Sequence, residues 1–310
     1  MAKPNEGLWS SSIVPMLAVG AMLLLVVGCA RHLPPDVAAD LPSAMQIRAG
    51  FATADGSGQA SDSGGSGAEP TGWATLRGRF IFDGTPPSPA ALSITRDNDI
   101  CAPGGKPVYS QSLVVDPNSK GIKNCVIFLT SSLKPEEPWT HPSMQPGKTD
   151  EVLFDQKECV FLSHVLAMQS SQPLRIKNSD SVGHNTNLSA KANPKFDQTI
   201  PSGESLIYQP SAEEREPFPV KCAIHPWMEA WMIMRDNSYY CVSQDDGSFV
   251  IENLPAGIEL EFRVWQEACK FPKTVSIDGA GESGGKGKLT ITLQSGADET
   301  MNITLPSSVF

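Results

Sequence analysis

The sequence is short of long apolar runs, of positive charge and of uninterrupted helical pattern. Its strongest apolar stretch, Ile13–Gly28, has sixteen residues, against about 20 for a helix that spans a bilayer. Lys and Arg total 24 against 34 Asp and Glu, a net charge of −10. That balance argues against a nucleic-acid partner and suits a basic protein partner. Twenty-six prolines and 26 glycines interrupt the chain, and no segment sustains a 3.6-residue period. Also missing are a Ser-His-Asp order with an elbow glycine, a phosphate-binding glycine loop and a motif of paired carboxylates. Nothing in the sequence reads as an enzyme.

What is present begins with an export signal. Lys3 lies in a polar start, the apolar run follows, and Val26-Val27-Gly28-Cys29 resembles a bacterial lipobox. The expectation is a signal peptide over 1–29 with Cys29 acylated, an uncleaved N-terminal anchor being the alternative. Ala30 and Arg31 follow with no aspartate, which by analogy with lipoprotein sorting points to the outer membrane of the cell envelope. Residues 30–72 include DGSGQASDSGGSGAEPTG, too poor in apolar groups to offset the entropy of folding. They read as a flexible linker, about 40 residues reaching roughly 35 Å.

From residue 73 onward, short apolar runs alternate with turn signals, the pattern of an all-β chain. Expected strands are 74–82, 112–115, 123–130, 160–168, 174–177, 232–234, 248–252, 259–264, 288–293 and 301–305. The cysteines number seven. In an exported chain they pair, and Cys101 with Cys159 and Cys241 with Cys269 is the simplest arrangement, although spacing does not fix connectivity. Cys125, in NCVIFL, reads as a buried free thiol.

The most informative stretch is KCAIHPWMEAWMIM, Lys221–Met234. Cys222, His225 and Met228 recur every three residues, so one tight loop brings them to a common point. A more distant donor stands upstream, where an alternating strand ends at Asn178, a polar turn follows, and His184 comes next. Two imidazoles and a thiolate with a weak thioether suit copper in both oxidation states. Zinc gains little from a methionine. The plainer reading is a half-disulfide, a loop histidine and a core methionine. His141, in the turn-rich WTHPSM, and His164, on a strand, read as structural, and Met232 and Met234 as packing residues.

With those residues in place, CAIHPWM resembles the ligand loop of the short-loop, amicyanin-type cupredoxins, and NSDSVGHN resembles the segment that carries their first histidine. A plastocyanin-type loop would put the methionine at Ala230. The resemblance implies a Greek-key β-sandwich over 149–237 with one type 1 copper on His184, Cys222, His225 and Met228. It also implies Asn185 and Pro226 in supporting positions, an outer edge of His225 near solvent as the electron's exit, and a docking patch at Pro226 and Trp227. The residues before the cysteine, EPFPVKC, depart from the tyrosine-rich strand usual there.

Two flanks, 73–148 and 238–310, share a β texture. QDDGSFVIENLPAGIELEFRVWQE is similar to carboxypeptidase regulatory-like, transthyretin-type modules, with Asp-Gly and Pro-Ala-Gly supplying the reversals. The expected architecture is therefore a cupredoxin-like sandwich flanked by, or merged with, a carboxypeptidase regulatory-like one. The implied function is one-electron transfer by a lipid-anchored copper protein to a redox partner such as a cytochrome. The alternatives are a surface β-sandwich that binds another molecule, carbohydrate for instance, with structural or no metal, and a copper carrier.

Overall fold

The computed structural model describes residues 68–145, 150–279 and 281–310, and the chain is nearly all β. Cys29, the apolar run before it and the linker as far as residue 67 lie outside the described residues. Among the described residues no helix is long and apolar enough to cross a membrane. The one α-helix there, Asn98–Cys101, has four residues.

Two sandwiches account for the described strands apart from one short pair, Val114–Val115 with Ile122–Lys123. In the first, one sheet runs Phe196–Ile200, His184–Leu188, Phe218–Lys221, Glu229–Arg235, Val165–Gln169. Its companion runs Ser205–Tyr208, Leu174–Asn178, Val152–Lys157, Val160–Phe161. Alternation produces the shared core: Leu174 and Ile176 point inward while Arg175 and Lys177 do not, as a two-residue period requires. They meet Phe154, Leu188, Val220, Met232 and Met234 in one cluster. The segment 160–168, expected as one strand, is two. Val160–Phe161 hydrogen-bonds in one sheet and Val165–Gln169 in the other, so the chain crosses the core between them.

The second sandwich is built from both flanks together. Gly72–Asp83 lies between Ser248–Ala256 and Ile303–Pro306, and Val126–Leu129 lies between Tyr240–Val242 and Glu259–Trp265. The regions that the sequence separates as 73–148 and 238–310 thus share their sheets and one core. A close crossing joins them: a Cβ at Gly121 would lie 1.8 Å from the carbonyl oxygen of Asp246, and Gly247 beside it has φ +83°. Only glycine fits there at no steric cost.

Val126–Leu129 explains how the sandwiches join. All four residues are buried. Ile127 and Leu129 face the second sandwich's core, and Val126 and Phe128 face outward onto Val165 and Ile233 of the first. An apolar run in place of an alternating one is what a strand covered on both faces must show.

A disulfide links Cys101 to Cys159. Cys241 and Cys269, expected as a second pair, are free thiols, and so is buried Cys125. The reason is topological. Cys241 pairs across from Ile127 on one side of Val126–Leu129, whereas Cys269 follows the strand on its other side.

Candidate metal centre

Strand register brings the expected residues to one end of the first sandwich. Lys221 is opposite Glu229 in an antiparallel pair, so 222–228 is the seven-residue loop of a hairpin. Two bonds tighten it: the Cys222 N–H donates to the Met228 carbonyl at 3.2 Å, and the Met228 N–H to that of His225 at 2.9 Å. His184–Leu188 runs antiparallel to Phe218–Lys221, which puts its first residue, His184, at the loop's end of the sheet.

The donor atoms of His184, Cys222 and His225 lie within 4.8 Å of one another, and all three residues are buried. The two histidine Nδ1 atoms are 2.9 Å apart, and Cys222 Sγ is 4.0 Å from Nδ1 of His225. Sγ also accepts backbone N–H groups from Asn185 and His225, each at 3.3 Å. Two such donors stabilise negative charge on sulfur. Met228, 1 % exposed, packs in the same core cluster. Pro226 is exposed at the loop tip and Trp227 is half-buried.

Asn185 ties the neighbouring strand to the loop. Its Oδ1 accepts the Ala223 N–H at 3.1 Å, and its Nδ2 donates to Asp197 at 2.8 Å. The backs of both imidazoles are held by carboxylates. His184 Nε2 is 2.5 Å from Asp180, and His225 Nε2 is 2.9 Å from Asp97. Asp180 also accepts the N–H groups of Glu158 and Cys159, at 2.6 and 2.9 Å. Burial pushes the His184 imidazole below its ordinary range, against the upward pull of Asp180.

Asp97 changes one expectation. The resemblance implies a His225 edge near solvent, but His225 is 0 % exposed. The segment that carries Asp97 and Cys101 is fastened to the site by the Asp97–His225 hydrogen bond and the disulfide, and it covers that edge. The aromatic neighbour of His225 is Trp227, with ring centroids 5.1 Å apart, and the Trp227 indole N–H donates to the Cys159 carbonyl. Trp227, Met228 and Tyr109 line a cavity of about 200 Å³.

The arrangement fits a soft cation on chemical grounds. A carboxylate beside each Nε2 draws the ring proton there, which leaves both Nδ1 lone pairs directed inward. Two such lone pairs at 2.9 Å repel unless a second proton enters one ring or a cation lies by them. Burial of His184 disfavours a second proton on that ring. A thiolate and two imidazoles, with a thioether carried on the same loop, are donors that copper accepts in either oxidation state.

The other two histidines among the described residues lie elsewhere. His141 Nδ1 accepts the Ser143 N–H at the start of a short 3-10 turn, and its ring packs edge-on to Trp73. His164 is buried with Nε2 2.5 Å from Glu267. Met232 and Met234 are fully buried core residues. Asp97 and Asp180 are what sequence reasoning missed. Asp180 stands four residues before His184 in a segment otherwise recognised, whereas Asp97, 128 residues from His225, gives no local signal.

No protein-family model matches the chain, and no curated protein does. Solved structures do match. An oxidized proline mutant of amicyanin is 12% identical, covering 27% of this chain and 82% of its own, with a TM-score of 0.25. Amicyanin from Paracoccus versutus (Thiobacillus versutus) is 18% identical, covering 35% and 97%, with a TM-score of 0.24. A Cu(I) methionine mutant of amicyanin is 12% identical, covering 34% and 97%, with a TM-score of 0.25. At these scores the likeness carries no weight, and the functional reading rests on the site's own residues.

Proposed function

We propose that the chain is a copper protein of the type 1, cupredoxin-like class that passes single electrons in the cell envelope. The supporting observation is the inward-facing Nδ1 pair of His184 and His225 beside the Cys222 sulfur. His184, Cys222 and His225 would hold the ion, with Met228 as the weak thioether. Copper held there would alternate between Cu(I) and Cu(II), taking up and releasing one electron.

The chain's own groups keep the donors in place. Asp180 and Asp97 orient the two rings, Asn185 and its backbone N–H brace the thiolate loop, and the antiparallel pairing of their strands puts His184 at the same end of the sheet as Cys222. Donors held this way by their outer partners move little when charge changes. With the His225 edge covered by Asp97, the route outward is through Trp227, which touches both His225 and the wall of the surface cavity. The acylated Cys29 and the linker would keep this centre near the outer membrane. A net charge of −10 favours a basic redox partner such as a cytochrome, with docking weakened by salt. No bond-making step is needed, so the protein would not be an enzyme.

The test is voltammetry of the copper-loaded chain. One reversible electron per chain supports the reading, and an ion that cannot be cycled favours copper carriage. One observation favours a second reading, surface binding of another molecule. A cavity of about 910 Å³ sets the aromatic rings of Phe218, Trp231, Trp265 and Phe271 beside charged groups, among them Lys191, Lys270, Glu213, Arg215 and Glu216, a mixture of flat apolar faces and hydrogen-bonding groups that suits a polar ring such as a sugar. Oligosaccharide binding that is lost in Trp231→Ala would support it.

A further inference from the structure

The Cys101–Cys159 disulfide is built into the histidine pair. Both cysteines are buried, and their sulfur atoms lie within 4.8 Å of a ring nitrogen of His225 and of each other. Cys159, Asp180 and His184 form another such group. Each half of the disulfide is also wired to one imidazole. The Cys159 N–H donates to the Asp180 carboxylate that holds His184. The Cys101 N–H donates at 2.8 Å to the carbonyl of Asp97, whose carboxylate holds His225. Cys159 and its neighbour Glu158 both have φ 52°, a left-handed conformation that non-glycine residues adopt at a cost. Such a turn, held by Asp180, places Cys159 beside the histidines. From the other side a cavity of about 270 Å³ reaches Cys101, between Pro103, Lys106, Val108 and Glu158.

We propose that Cys101 and Cys159, once reduced, form with His225 a second metal site, selective for Cu(I). The inference rests on the copper reading of the first site only through the shared His225. Reduction is a thiol–disulfide exchange with a dithiol reductant reaching Cys101 through the cavity. The reductant's two thiols become its own disulfide, two electrons and two protons pass to this chain, and the Cys101–Cys159 S–S bond breaks to give two thiols. Loading one Cu(I) then forms two S–Cu bonds and one bond to Nε2 of His225, whose Nδ1 serves the first site, and releases three protons: the two thiol protons, and the Nε2 proton, which passes to Asp97. Two thiolates and one imidazole are a soft, low-coordinate set, which Cu(I) accepts, whereas structural zinc sites almost always take four donors. The oxidised chain would carry one ion and the reduced chain two, so the number of copper ions carried would follow the redox state of the surroundings.

The test is a count of copper per chain on the full-length protein. One sample is loaded anaerobically with Cu(I) in the disulfide form. A second is first reduced with dithiothreitol, which is then removed by gel filtration. Native mass spectrometry reads both. Thiols free in both states cancel in the difference. The expected counts are one and two, and Cys101→Ser should stay at one under both treatments. Should Cys101→Ser fail to fold, X-ray absorption of the parent decides the matter, with more sulfur neighbours per copper expected after reduction. One ion in both states, or a second ion that persists in folded Cys101→Ser, overturns the second site and leaves the first intact. Zero before reduction and one after overturns the first site alone. Zero in both overturns both, and a second site that takes zinc but not Cu(I) overturns the copper assignment.

Discussion

The Nδ1 atoms of His184 and His225 lie 2.9 Å apart, each ring backed through Nε2 by a carboxylate. Neither histidine can turn away without breaking its bond to Asp180 or Asp97. Each ring is therefore held from outside by one carboxylate with its Nδ1 turned toward the other ring, an arrangement built into the fold.

The first prediction concerns those carboxylates. Asp180→Asn and Asp97→Asn should each weaken copper binding by about 10- to 100-fold, the usual effect of removing a group that orients a ligating histidine. Asp180→Asn should cost more, because Asp180 also accepts the Glu158 and Cys159 N–H groups. Competition against a chromophoric chelator measures both, and unchanged affinity would show that the rings are held by other means.

Trp227 should matter to rate and not to binding. Trp227→Ala removes the ring that packs on His225 and lines the cavity. Electron exchange with a protein partner should slow by about tenfold, equivalent to about 1.4 kcal/mol in the barrier. Copper affinity should stay as it is. Stopped-flow mixing with a basic cytochrome reads the rate, and a parent-like rate would move the exit elsewhere.

A pH dependence follows from Glu267. Burial alone would raise its carboxyl, but the hydrogen bond and charge of His164, with Trp231 and Lys270, outweigh burial and hold it below the usual carboxylate range. A depressed carboxylate contributes stability that is present above its unfolded value and lost as pH falls through its folded one. Glu267→Gln should therefore melt below the parent at neutral pH, with the gap closing under acid conditions. Thermal unfolding across that range checks it, and a gap that widened in acid would contradict the sign.

Much of the site was legible because its signals are local. Cys222, His225 and Met228 share one hairpin loop, and His184 follows a recognisable strand end, so spacing alone anticipated that His184, Cys222 and His225 would lie together. The all-β class was legible from alternation, as in Leu174–Asn178. What stayed hidden depends on contacts distant in sequence. Asp97 reaches His225 across 128 residues, and its covering of the imidazole reversed the expected exposure. The union of both flanks in one sandwich turns on Gly72–Asp83 pairing with Ser248–Ala256, which no local pattern announces. Cys241 and Cys269 show the limit of pairing by parity, since strand order and not count decides which sulfurs meet.

The most direct measurement of the central claim is optical. Cu(II) added to the purified chain should produce an intense blue thiolate-to-copper absorption at one equivalent, absent in Cys222→Ser and much reduced in His184→Ala. A colourless complex, or a blue band that survives in Cys222→Ser, would contradict the type 1 account.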